Sequence, residues 1–132
     1  MKYWEINEDR RIVALDALES LGVNAGDIGG LIPNSCELPP EEEPLWVCPS
    51  ASIGEGVSIG GWSIIGDSTE IGMYSKIFSY VTICMGTTIG MYSEIGEGTS
   101  ISESTSIGSD SVIGWNVRLC YRSTIGAGSV VG

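Results

Sequence analysis

Ile71-Gly72-Met73-Tyr74-Ser75-Lys76 returns eighteen residues later as Ile89-Gly90-Met91-Tyr92-Ser93-Glu94. Inside that eighteen lies a shorter period. From Val47 every sixth residue is aliphatic, through Ile53, Ile59, Ile65, Ile71, Ile77, Ile83, Ile89, Ile95, Ile101, Ile107, Ile113, Leu119, Ile125 and Val131. Fifteen consecutive hits without an insertion define a solenoid, in which each unit buries its apolar face only by stacking on its neighbours. Four residues after each aliphatic stands Ala, Val, Ser or Thr, from Ala51 to Ser129, and the residue directly after it is Gly in ten of the fifteen units. Six residues suffice for one short strand and a tight bend. Strand side chains alternate with period two, so the aliphatic and the small residue two before it point inward together. Gly is expected for the backbone freedom a bend requires. Three hexads per turn predict a triangular prism of almost five turns over residues 47–132.

This repeat resembles the bacterial transferase hexapeptide-repeat superfamily, and the resemblance covers residues 47–132. It implies a left-handed parallel β-helix. The handedness comes from the resemblance alone, because connections between parallel strands are ordinarily right-handed. The fold class is thus an all-β solenoid, with residues 1–46 as a separate N-terminal segment.

For that segment the sequence predicts a short helix and an acidic loop capping the first coil. Residues 2–6 read as a short strand. Asn7 reads as a helix N-cap, with Glu8 and Asp9 in the first turn. Ile12, Leu15, Leu18 and Leu21 recur every three residues, Val13 and Ala17 widen the stripe, and Gly22 ends it. Residues 23–46 read as loop, including the acidic run Glu41-Glu42-Glu43. An open solenoid end exposes unpaired backbone and apolar side chains, which the helix stripe, Leu45 and Trp46 are expected to cover.

Charge and composition exclude several classes. The net charge of the 132-residue chain is −11, so it repels nucleic acid and anionic membranes and suits a basic partner. No apolar run approaches a membrane span and the charged start is no secretion signal, which predicts a cytoplasmic protein. Cys36, Cys48, Cys84 and Cys120 form no C-x-x-C pair, and the chain has no histidine. No metal site of Cys and His spacing, no cofactor and no disulfide is expected.

Enzymes of the superfamily move acyl groups from coenzyme A or acyl carrier protein, in many cases with a histidine as general base. Its carbonic-anhydrase-like members hold a metal with several histidines. Both need a residue absent here. Carboxylates serve in a minority of the acyltransferases, and Asp67, Glu70, Glu97, Glu103 and Asp110 stand on the column. Coenzyme A phosphates call for cations, of which the column offers Lys76, Arg118 and Arg122, with Lys76 one turn below Glu94. The resemblance also implies a loop and C-terminal cap beyond Val131. The sequence stops at Gly132, which leaves either a truncated chain or a last coil covered by something else. No catalytic residue is assigned from the sequence.

What remains are surfaces. Met73 and Met91 stack one turn apart, as do Tyr74 and Tyr92. Trp62 and Tyr80 form a second pair, with Trp115 nearby. Exposed aromatics and methionines mark interfaces. These seven residues and Glu41, Glu42 and Glu43 form the expected interaction surface. The sequence therefore favours a non-catalytic acidic scaffold acting through protein contacts, one version being an inhibitor of a basic or nucleic-acid-binding partner, as a phage or plasmid counter-defence protein would be. Self-association is expected as a trimer, which the resemblance implies, or as an end-to-end dimer. The alternative is an atypical histidine-free acyltransferase.

Overall fold

The computed structural model describes residues 1–18 and 22–132. Short strands begin the chain: β1 (Trp4–Ile6), β2 (Arg11–Ala14), β3 (Ile28–Leu31) and β4 (Leu45–Val47). The first three form an antiparallel sheet in the order β1-β2-β3. From β4 onward a strand recurs with every hexad up to Val130–Val131, and the fifteen strands form three five-stranded parallel sheets. The first face carries Leu45–Val47, Ser63–Ile65, Thr82–Ile83, Ser100–Ile101 and Arg118–Leu119. The second runs from Ser52–Ile53 to Thr124–Ile125, and the third from Ser58–Ile59 to Val130–Val131. Five coils result, in the left-handed parallel β-helix the family resemblance implied.

Register between coils is eighteen residues throughout: Ile83 pairs with Ile65 below and Ile101 above, and Glu94 lies between Lys76 and Val112. The repeating aliphatics from Val47 to Leu119 are buried, while Ile125 and Val131 in the last coil are only partly so. The small position does more than fit the wall. Hydroxyls there donate to a backbone carbonyl fifteen residues on, as Ser75 Oγ to Gly90 O (2.9 Å), Ser93 Oγ to Gly108 O (3.0 Å) and Thr99 Oγ1 to Gly114 O (2.8 Å). Ser and Thr are therefore as acceptable inside the column as Ala and Val, because no buried side-chain oxygen among the described residues is left unpaired.

Glycine is required for a reason other than the expected one. The Gly directly after each aliphatic does not adopt positive φ. A Cβ at Gly54 would lie 2.6 Å from Met73 N, and one at Gly66 would lie 2.8 Å from Met85 N, so the glycine permits the next coil to approach. Left-handed backbone occurs two positions later, at the third residue of the bend. That position holds Gly56, Gly86, Gly98 and Gly128, but also Trp62 (63°), Tyr74 (60°), Tyr80 (60°), Tyr92 (60°) and Asn116 (53°).

The N-terminal segment departs from the expectation. No helix is present among the described residues, and part of the stretch read as one is strand β2. Asn7 does cap, but it caps a hairpin turn: its Oδ1 accepts from Asp9 N and Arg11 N, both at 3.0 Å, and Asn7 N donates to Arg11 O. The same side-chain chemistry serves both structures. Along β2 burial alternates, with Ile12 and Ala14 inside, while Leu15 is exposed. Leu21, the last member of the proposed stripe, lies outside the described residues. The three-residue spacing of leucines was a coincidence beside this period of two.

β2 and β3 pack against β4 at the base of the column. Gly29 approaches so closely that a Cβ there would strike Val47 O and Ile12. Trp4 is buried, and its indole donates to Glu43 O at 2.9 Å. Glu37, within the stretch read as loop, bonds below the third face through Glu37 N to Val57 O and Ile59 N to Glu37 O. No helix among the described residues is long and apolar enough to cross a membrane.

Candidate functional site

The side chains with chemical potential stand at the bends, where the backbone turns outward between faces. On the edge between the second and third faces, successive coils present Gly56, Tyr74, Tyr92 and Asp110 at the left-handed position. Tyr74 and Tyr92 stack with centroids 5.4 Å apart and an interplanar angle of 16°. Met73 and Met91 precede them, and all four are exposed. On the edge between the third and first faces the same position holds Trp62, Tyr80, Gly98 and Asn116. Trp62 and Tyr80 stack at 5.8 Å and 4°. The structure therefore brings together the two ladders read from the sequence, on separate edges of the prism.

The acidic run is dispersed rather than presented as one patch. Glu41 pairs with Lys2 at 3.1 Å, Glu43 folds against Gly61, and Glu42 is exposed. The Glu41 carboxylate holds the Lys2 ammonium above its usual range, first by hydrogen bonding and then by charge. Lys76 and Glu94 are neighbours in register but form no ion pair.

Of the five carboxylates noted on the column, Asp67 accepts from Ser50 Oγ at 2.8 Å. Glu97 occupies a different setting. It lines a recess of about 220 Å³ together with Tyr80, Gly98, Trp115 and Asn116. Its carboxylate has no ion-pair partner among the described residues. Trp115, the most exposed of the bend aromatics at 78%, stands one coil above it. The sequence places Trp115 near Tyr80 but names Glu97 apart from them, although Glu97 and Trp115 are eighteen residues apart and lie on the same edge as Tyr80. A second concavity, about 410 Å³, lies at the base between Arg10, the 31–34 segment and Ala51–Glu55. Its one cation, Arg10, already donates to the carbonyls of Ile32 and Pro33.

All four cysteines are free thiols. Cys48, Cys84 and Cys120 share the remaining edge, with Cys120 exposed. Burial pushes the Cys36 and Cys48 thiols up, against a nucleophilic role for either. No three His, Cys, Asp or Glu residues gather for a metal among the described residues.

No family model and no curated protein matches this chain. Solved structures do. Serine acetyltransferase isoform 3 of Entamoeba histolytica, solved with cysteine, is 25% identical over 64% of this chain, with a TM-score of 0.58. The serine acetyltransferase of Neisseria gonorrhoeae, solved with serine, is 24% identical over 68% of this chain, also with a TM-score of 0.58. The matches span 33% and 39% of those two proteins, respectively.

Proposed function

Because the chain has the column of the transferase hexapeptide-repeat superfamily, we propose that it is a histidine-free acyltransferase, moving an acyl group from a thioester to an amine or hydroxyl acceptor. The likeness of the column to that of a serine acetyltransferase carries this reading. Glu97 is assigned as the base, since it is the column carboxylate found in a recess with aromatic walls. Its carboxylate takes the acceptor proton as the acceptor nitrogen or oxygen attacks the thioester carbonyl. The carbon–sulfur bond then breaks, and the departing thiolate takes that proton back from the Glu97 carboxyl, which restores the base. Arg118 and Arg122, on the last coil, supply contacts for donor phosphates. We further propose that columns associate side by side as trimers, and that the protein works in a reducing cytoplasm that suits four free thiols.

A second reading is a non-catalytic scaffold that binds a basic protein. The absence of any histidine and the half-exposed aromatic ladders favour it. Release of free thiol from acetyl-CoA in the presence of amine acceptors separates the two. Turnover reduced at least about a hundredfold by Glu97→Gln, the lower range for loss of a general base, supports acyl transfer. Neither binding nor thiol release across a panel of acceptors leaves the scaffold.

A further inference from the structure

We propose that the Tyr80–Glu97–Trp115 recess binds the head group of a small organic ammonium ion. The aromatic ladder on this edge ends abruptly. Tyr80 has one ring face against Trp62, nearly parallel to it. Its other face turns toward the next coil, where position 98 is Gly and offers no side chain to cover it. On the neighbouring edge the equivalent succession continues from Tyr92 to Asp110, so the vacancy belongs to this edge alone of the two.

Asn116 forms the upper wall of this recess. The Asn116 side chain reaches over Gly98, close enough that any Cβ there would strike its Oδ1. Beside the vacancy stand the unpaired Glu97 carboxylate and the exposed Trp115 ring. An aromatic face attracts cations approaching within about 6 Å of its centroid, and a carboxylate at its rim supplies the counter-charge. The net charge of −11 adds long-range attraction of the same sign. A recess of about 220 Å³ is below the size of common ligand pockets, so it takes a head group and leaves the rest of the molecule outside. Sodium and other small inorganic ions keep their water and gain little from an aromatic wall.

This deepens the transfer reading, since an amine acceptor arrives as such a cation, but its test needs no acyl donor. Nitrogen-15-labelled protein is titrated with tetramethylammonium chloride, following the indole N–H resonance of Trp115 assigned through Trp115→Phe. The expected result is a saturable shift with a dissociation constant on the order of millimolar. Glu97→Gln weakens it about tenfold and Tyr80→Leu by at least as much, both variants keeping the amide spectrum of the folded column. Sodium chloride at equal ionic strength produces no saturable shift. An absent shift, an equal shift with sodium, or unchanged affinity in both variants overturns the proposal. Cation binding without thiol release removes the transfer reading and keeps this one. Thiol release from amines without a Trp115 shift does the reverse.

Discussion

At the residue scale, two glycines in the same repeat position separate coil packing from backbone freedom. Gly54 faces the backbone of the coil above, and an added methyl would meet Met73 N at 2.6 Å. Gly126 lies in the last coil, and its nearest neighbour would be Ser129 Oγ at 3.8 Å. Gly54→Ala should therefore cost about 1–3 kcal/mol of overpacking, whereas Gly126→Ala should change stability by less than about 0.5 kcal/mol; urea unfolding of each against the parent checks both. Left-handed residues provide the opposite case. Ser104 is exposed at φ 59°, and Ser104→Gly should stabilise by up to about 1 kcal/mol, seen as a higher Tm.

The thiols add a pH dependence. Burial raises Cys36 and Cys48 in the folded chain, so unfolded thiols ionise first as alkali is added. Their contribution is complete below the ordinary thiol range of about 8.5 and is lost as pH climbs through the folded values. The urea midpoint should fall between about pH 8 and 10, and fall less in a Cys36→Ala, Cys48→Ala double variant. Toward a disulfide reagent at neutral pH, exposed Cys120 should supply the fast phase, which Cys120→Ser removes.

At the element scale, the N-terminal sheet is the part whose role is least visible in its residues. We propose that it acts as the cap of the first coil, with Ile12 fully buried beneath it. Ile12→Ala should cost about 2–5 kcal/mol, and binding of a hydrophobic dye to the variant should report the exposed base. The column was legible because two periods agree: alternation fixed inside and outside, and the hexad fixed the corners. The hairpin was not, because β2 contributes only Ile12 and Ala14 to the interior, too short a run to show a period against Ile12, Leu15 and Leu18. Asn7 carried no discriminating information, since an Asn side chain caps a turn as readily as a helix. The hydroxyl bonds from Ser75 and Thr99 also escaped sequence reading. They link residues fifteen apart, and only the coil geometry makes that distance short.

At the scale of the whole molecule, the proposed trimer has its own test. Light scattering should report about 42 kDa, three times the 13.9 kDa subunit, if columns pack side by side as proposed. A mass of 13.9 kDa at all concentrations would overturn the trimer. The ladders were legible because eighteen-residue register is visible in Tyr74 and Tyr92. The Glu97 recess was not, because it is defined by a missing side chain at Gly98 and no pattern marks an absence.

The eighteen-residue register also sets what kinds of length change the chain tolerates. Every coil offers the next the same row of carbonyls, and the buried Ser and Thr hydroxyls from Ser63 to Ser111 reach one coil upward. Excising one whole internal coil would therefore rejoin like to like, leaving a shorter prism with each later side chain still on its own face. Removing six residues would keep inside and outside correct but rotate everything downstream by a third of a turn, carrying Trp115 away from the Tyr80 edge. Removing one to five would bring polar residues into the interior. Length in this molecule is thus a digital quantity: the wall counts in sixes, and any surface assembled across coils counts in eighteens.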